Sequence, residues 1–122
     1  MENKFEHLLS PIKIGNVVLR NRMHAAPGRP HFAQGPEPWP TDNIIAHWAN
    51  KAKAGAAVVT CTGGMALGKP FSVRGRGTAS MKGHFLNFDI LDSQVQHYVS
   101  QLAEAIHFNG ARASMMYSSG YL

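Results

Sequence analysis

The residues of this chain whose types alone suggest chemistry are its histidines, its single cysteine and a short arginine–glycine run. His24, His31, His47, His84, His97 and His107 follow no tight ligand spacing, and Cys61 alone provides no thiolate cluster, so no metal centre is expected. His97 and His107 share one amphipathic stretch, where a solvated or half-buried imidazole is the ordinary outcome. The segment VRGRGTAS, residues 73–80, offers Arg74 and Arg76, whose planar guanidinium groups can hold phosphate or carboxylate bidentately. It lacks the interleaved aromatics of a base-stacking platform and the strand–loop–helix setting of a phosphate loop. A solvated loop is the plain reading; capture of an anionic small molecule is the sharper one, and a small basic nucleic-acid-binding module a third.

A quieter candidate lies in NRMHAAPGRP, residues 21–30, where Ala26, Pro27 and Gly28 present almost nothing but backbone. Proline and glycine end strands in many settings. Yet amide and carbonyl groups can meet the polar edge of a flat ring only where side chains are small, and this stretch has that character.

These residues need elements to position them. PIKIGNVVLRNR, residues 11–22, predicts a hairpin: Ile12 and Ile14 alternate, Gly15-Asn16 turns, and Val17, Val18 and Leu19 return. Residues 22–27 predict the next strand. Residues 28–40, with Pro30, Pro36, Pro38, Pro40, Gly28 and Gly35, exclude regular structure. Thr41 or Asp42 then caps a helix with the stripe Ile44, Ile45, Trp48, Ala49 and Ala52, and Gly55 ends it. AAVVT, residues 56–60, is the continuous run of a strand buried on both faces. Residues 63–90 are glycine-rich and aperiodic, a connection of the length that is usually functional or disordered. Asp92 caps a second helix carrying Val95, Val99, Leu102 and Ile106, Asn109-Gly110 closes it, and ARASMMY, residues 111–117, predicts a last strand. Met115 and Met116 point to opposite faces of that strand, and Met115 is assigned inward. With Met65 and Met81 they are candidates for lining an apolar cavity, or for filling core.

Hairpin, strand, helix, strand, helix, strand is the order of an α/β protein with a parallel sheet. Loops that follow strands then share one end of the sheet, where ligand sites gather, and both irregular segments follow strands. Such a sheet leaves an edge unpaired, and a closed eight-unit barrel takes about 250 residues. The 122 residues therefore read as the N-terminal portion of a (β/α)8 TIM barrel, incomplete as a barrel. The remainder of the barrel, or another copy, is expected to cover the exposed edge.

Composition narrows the class. With 44% hydrophobic and 16% charged residues the chain is no disordered tail. No apolar run approaches a membrane span, and the acid-bearing N-terminus lacks the apolar core of a secretory signal. A lone cysteine excludes an internal disulfide and points to a reducing compartment, with the cytoplasm the default. The excess behind the net charge of +5 is local: between Gly63 and Phe88 stand Lys69, Arg74, Arg76 and Lys82 and no acid, which favours an anionic partner.

HLLSPIKIGNVVLRNRMHAAPG, residues 7–28, resembles the opening of the Old Yellow Enzyme family of flavin-dependent ene-reductases, including its longer 2,4-dienoyl-CoA reductase branch. The family pattern SP(I/L)xIG is matched by Ser10–Gly15, L(K/R)NR by Leu19–Arg22, and the Ala/Ser-Pro-Met strand end by Ala26-Pro27-Gly28. HWANKAKAGAAVVTCTG, residues 47–63, is similar to YxxRAxGGxxLIIT, and AEAIHFNGARASMMYSSG, residues 103–120, to VHxxGxKxxxQLxHxGR. The resemblance implies FMN at the C-terminal ends of the barrel strands, reduction of that flavin by NAD(P)H, and hydride delivery to an alkene conjugated to a carbonyl.

Carried over by position, Ala26, Pro27, Gly28 and Arg29 would meet FMN mostly through main chain, Thr62 would contribute from the second strand with Cys61 beside it, and Met115 from the third. His31 would face an unsaturated carbonyl substrate, and Arg74 or Arg76 would neutralise an anionic substrate or NADPH phosphate. The family's carbonyl-polarising pair, proton donor and phosphate loops belong to later strands, as would the iron–sulfur cluster of the longer branch, so no catalytic residue is assigned here. Three positions depart from the pattern: Met115 stands for the usual glutamine, Ser118–Tyr121 for His-x-Gly-Arg, and Gly28-Arg29 for Met and a small residue. They fit a divergent subfamily or a flavin-less barrel homologue acting as a binding or structural protein.

Overall fold

The computed structural model describes residues 4–28, 37, 39–66 and 88–118. A one-turn helix α1 (Glu6–Leu9) leads into the hairpin β1 (Ile12–Ile14) and β2 (Val17–Leu19). Ile12 faces Leu19 and Ile14 faces Val17 in antiparallel register, and Gly15 makes the turn at φ +58°, a left-handed conformation that glycine adopts without a Cβ penalty.

Four parallel-paired strands make the main sheet: β3 (His24–Ala25), β4 (Val58–Ala66), β5 (Phe88–Asp89) and β6 (Arg112–Ser118). Val58 at the start of β4 is in register with both His24 and Arg112, and Met65 near its end with both Phe88 and Tyr117, so β4 is central. The α/β class and parallel sheet agree with the sequence; among the described residues the sheet does not close.

Helices α2 (Asp42–Lys53) and α3 (Ser93–Phe108) pack against one another and against the same sheet face. Thr41 caps α2, its hydroxyl accepting from the Ile44 amide at 3.4 Å, and Asp92 caps α3, its carboxylate accepting from the Gln94 amide at 2.8 Å. Ile44, Trp48 and Ala52 from α2 meet Leu102 and Ile106 from α3 over Val59, Cys61 and Ala111, with Ala25 and Ala113 at the margin. A smaller cluster joins Phe88 and Val95 with Trp39, Ile90 and Val99, and Trp39 stacks on Tyr98 at 5.6 Å between ring centroids.

Several boundaries differ from expectation. The strand predicted over 22–27 pairs only at His24 and Ala25. The strand predicted to end at Thr60 runs on to Ala66, because β6 supports its edge again at Met65 and Ala66 after an irregularity following Cys61. Neither α1 nor β5 was expected: β5 is a two-residue strand held by its register with β4, too short to show a period. Arg29, His31, Arg74, Arg76 and Met81, and most of segments 28–40 and 63–90, lie outside the described residues.

The LRNR step proves to be a clamp. Leu19 is buried in front of it. Arg20 donates to the carbonyls of Ala52 (2.6 Å), Ala56 (2.7 Å) and Asn109 (2.9 Å), which belong to the last turn and exit of α2 and the C-cap of α3. Buried Asn21 donates to the Gly55 carbonyl at 2.8 Å and accepts from the Met23 amide at 3.0 Å. The Arg22 amide donates to the Leu8 carbonyl at 2.9 Å, tying α1 to the entry of β3.

Candidate functional site

The two faces of the sheet are distinguished by what covers them. Ala25, Val59, Cys61, Ala111 and Ala113 belong to the helix-covered core. Side chains alternate along a strand, so His24, Val58, Thr60, Arg112, Ser114 and Met116 project to the opposite, open face. There His24 Nε2 lies 2.7 Å from Thr60 Oγ1, across β3 and β4, and Thr60 is in register with Ser114 on β6. Thr60 is largely buried, while His24, Ser114 and Met116 are exposed. The open face thus carries a polar row of histidine, threonine and serine over three adjacent strands.

The C-terminal end of β3 continues into Ala26, Pro27 and Gly28, all exposed. A Cβ built on Gly28 meets nothing within 4 Å, so the main chain there borders open space. Thr62 lies in β4 just past Cys61, where the pairing with β6 becomes irregular. Strand β3 ends level with Val59 of β4, while β4 and β6 run on together to Ala66 and Ser118, and the place where β3 stops beside them is the candidate site.

Two expectations are corrected. Met115 does not face inward: it shares a face with Ala113 and is in register with Cys61, both on the helix side, so Met116 is the inward methionine of β6. Counted from Gly110, the glutamine of the family pattern also falls on Met116. Cys61, expected beside the site, is instead buried in the helix-covered core. Sequence reasoning missed His24, although a histidine between apolar neighbours in a strand was a signal that it needed a partner.

Burial pushes the Cys61 thiol up to about 12. We expect Ellman's reagent at pH 8 to react with it only on addition of denaturant; immediate reaction in buffer would contradict its burial. An unfolded thiol ionises near its ordinary value of 9.0 and the folded one near 12, so this contribution to stability is present below pH 9 and lost as pH rises toward 12. His47, on α2, has its pKa held down by burial first and by Lys51 second. His97 and His107 are exposed on α3, His97 Nε2 lying 3.2 Å from Gln101 Nε2 and His107 Nε2 accepting from the Ala113 amide of β6 at 3.5 Å. Among the described residues no group of three or more His, Cys, Asp or Glu could hold a metal ion, and no helix is long and apolar enough to cross a membrane.

A parallel sheet with helices α2 and α3 on one face is the arrangement of an α/β protein. Its structural neighbours are Old Yellow Enzyme family members. They include a 2-naphthoyl-CoA reductase in complex with 2-naphthoyl-CoA, 25% identical over 92% of this chain and 15% of that one, with a TM-score of 0.70. The old yellow enzyme from Trypanosoma cruzi is 18% identical over 94% of this chain and 27% of its own, also at 0.70. Morphinone reductase in complex with tetrahydroNAD is 18% identical over 90% of this chain and 26% of its own, at 0.63. This chain therefore spans between 15% and 27% of the length of these proteins. They support the family and leave its branches undistinguished. No family model and no curated protein matches the sequence.

Proposed function

We propose that this chain forms the N-terminal part of an FMN-binding (β/α)8 barrel of the ene-reductase type, and that Ala26, Pro27 and Gly28 are the shelf on which the flavin ring rests. The observation that carries the reading is the exposed strand end, nearly free of side chains, with open space in front of Gly28. A planar ring needs such a surface: main-chain amides and carbonyls reach its polar edge only if nothing projects past them. The residues present fit the ring on this side. On the third strand the inward Met116 packs against a ring but accepts hydrogen bonds only weakly, so β6 contributes contact and little polar recognition.

When bound, FMN supplies the two-electron chemistry, accepting hydride from NAD(P)H and donating it to an alkene conjugated to a carbonyl. The chain's own residues bind and orient. Ala26, Pro27, Gly28 and Arg29 would hold the ring through main chain, Thr62 would meet it from the second strand, and His31 would face the substrate. Arg74 or Arg76 neutralises an anionic substrate or cofactor phosphate. The likeness to a naphthoyl-CoA reductase and a morphinone reductase supports an unsaturated carbonyl compound as the substrate class.

Titration of FMN and riboflavin with the purified protein tests the reading through quenching of flavin fluorescence. Saturable quenching by both is expected, with similar affinity, because this chain carries contacts to the ring and none assigned to the ribityl phosphate. Absence of quenching with either would overturn the proposal. It would favour a barrel homologue without flavin, the reading to which Met116 lends weight.

A further inference from the structure

We propose that His24 is a positioning residue for the strand-end shelf, fixing the end of β3 against the middle of β4 through its hydrogen bond to Thr60; the inference rests on the flavin reading above only for what the shelf holds. Four observations support it. The two strands are in register at only two positions, His24 with Val58 and Ala25 with Val59, so the ladder that fixes their relative height is short. The His24–Thr60 contact of 2.7 Å adds a side-chain tie directly beyond that ladder, on the open face. Thr60 is a firm anchor, because it is largely buried and β-branched, with χ1 restricted in a strand. One further step along each strand, about 7 Å at the rise of extended chain, leads to Ala26 and Thr62, the residues that must present themselves together to one ligand.

The residue type supports a specific role. Inward positions of a β/α barrel are dominated by bulky branched aliphatics, which would fill the same space without tying the strands. An imidazole there serves by its hydrogen bond.

The test compares His24→Val, which keeps bulk and removes the bond, with His24→Gln, whose amide can remake it. Hydrogen exchange of residues 22–28 in flavin-free protein is one readout, with the α3 core as internal reference, and riboflavin affinity is the other. For His24→Val we expect exchange at 22–28 to quicken about fivefold to tenfold and riboflavin binding to weaken by a similar factor, the loss of one ordinary hydrogen bond. The α3 core should be unchanged, and His24→Gln should restore much of both. Unchanged exchange at 22–28, or equal quickening throughout the protein, would overturn the proposal. Failure of the unmodified protein to bind riboflavin would sink the flavin reading instead, while the exchange comparison still decides whether His24 positions the strand end.

Discussion

Replacing Trp48 by alanine should destabilise the protein by about 3–5 kcal/mol, the range for truncating a buried large aromatic. Trp48 is 1% exposed and sits where α2, α3 and the central strand meet, among Ile44, Ala52, Val59, Leu102 and Ile106. Its rim is also engaged: His47 packs edge-on at 5.1 Å between centroids, and the Lys51 ammonium lies 5.4 Å from the ring centroid. Domains of this size are stable by only about 5–15 kcal/mol, so the change removes a large share. Urea unfolding followed by circular dichroism is the appropriate measurement, because the substitution leaves Trp39 as the only tryptophan fluorophore. Trp48→Phe should recover most of the loss. A midpoint for Trp48→Ala close to that of the unmodified protein would show that α2 does not hold β4 in place. Riboflavin affinity should fall together with stability here, whereas His24→Val should separate the two.

Trp48 was legible from the letters because a helix writes its buried stripe into its own spacing. The same holds for the Thr41 and Asp92 caps, the Gly15 turn and the order of strands and helices, each encoded within a few neighbouring residues. The bare, exposed chain after β3 was legible as an absence of side chains. What could not be read were features set by partners distant in sequence. Strand β4 reaches Ala66 only because β6 returns to pair with Met65 and Ala66, and β5 exists only as a partner of those residues. The facing of Met115 and Met116 also needed the register with Cys61, since alternation alone says that they differ and not which is inward. His24 belongs to the same group: its role depends on Thr60, 36 residues away.

The LRNR step lay between these cases, recognisable as a pattern but without a stated cause, and it supports the second large effect. Arg20→Met should cost about 2–4 kcal/mol, since hydrogen bonds to charged groups contribute about 1.5–3 kcal/mol each before solvent exposure reduces them. Carbonyls at the C-terminal end of a helix lack intrahelical donors and carry partial negative charge, so a cation there satisfies both needs. Arg20 serves two helices at once, reaching Ala52 and Ala56 at the exit of α2 and Asn109 at the end of α3. A lysine has the charge without the planar fork, so Arg20→Lys should recover only part of the loss.

Gly110 provides an independent check on the same clamp. It adopts φ +78°, and a Cβ there would lie 2.8 Å from Arg20 Nη1, the nitrogen that donates to Asn109. Gly110→Ala therefore strains the backbone and displaces the guanidinium. If the clamp accounts for the cost, Gly110→Ala should be markedly less damaging in the Arg20→Met background than alone, a coupling that a double-mutant cycle reads directly. Additive losses would mean that the alanine acts only through its own backbone.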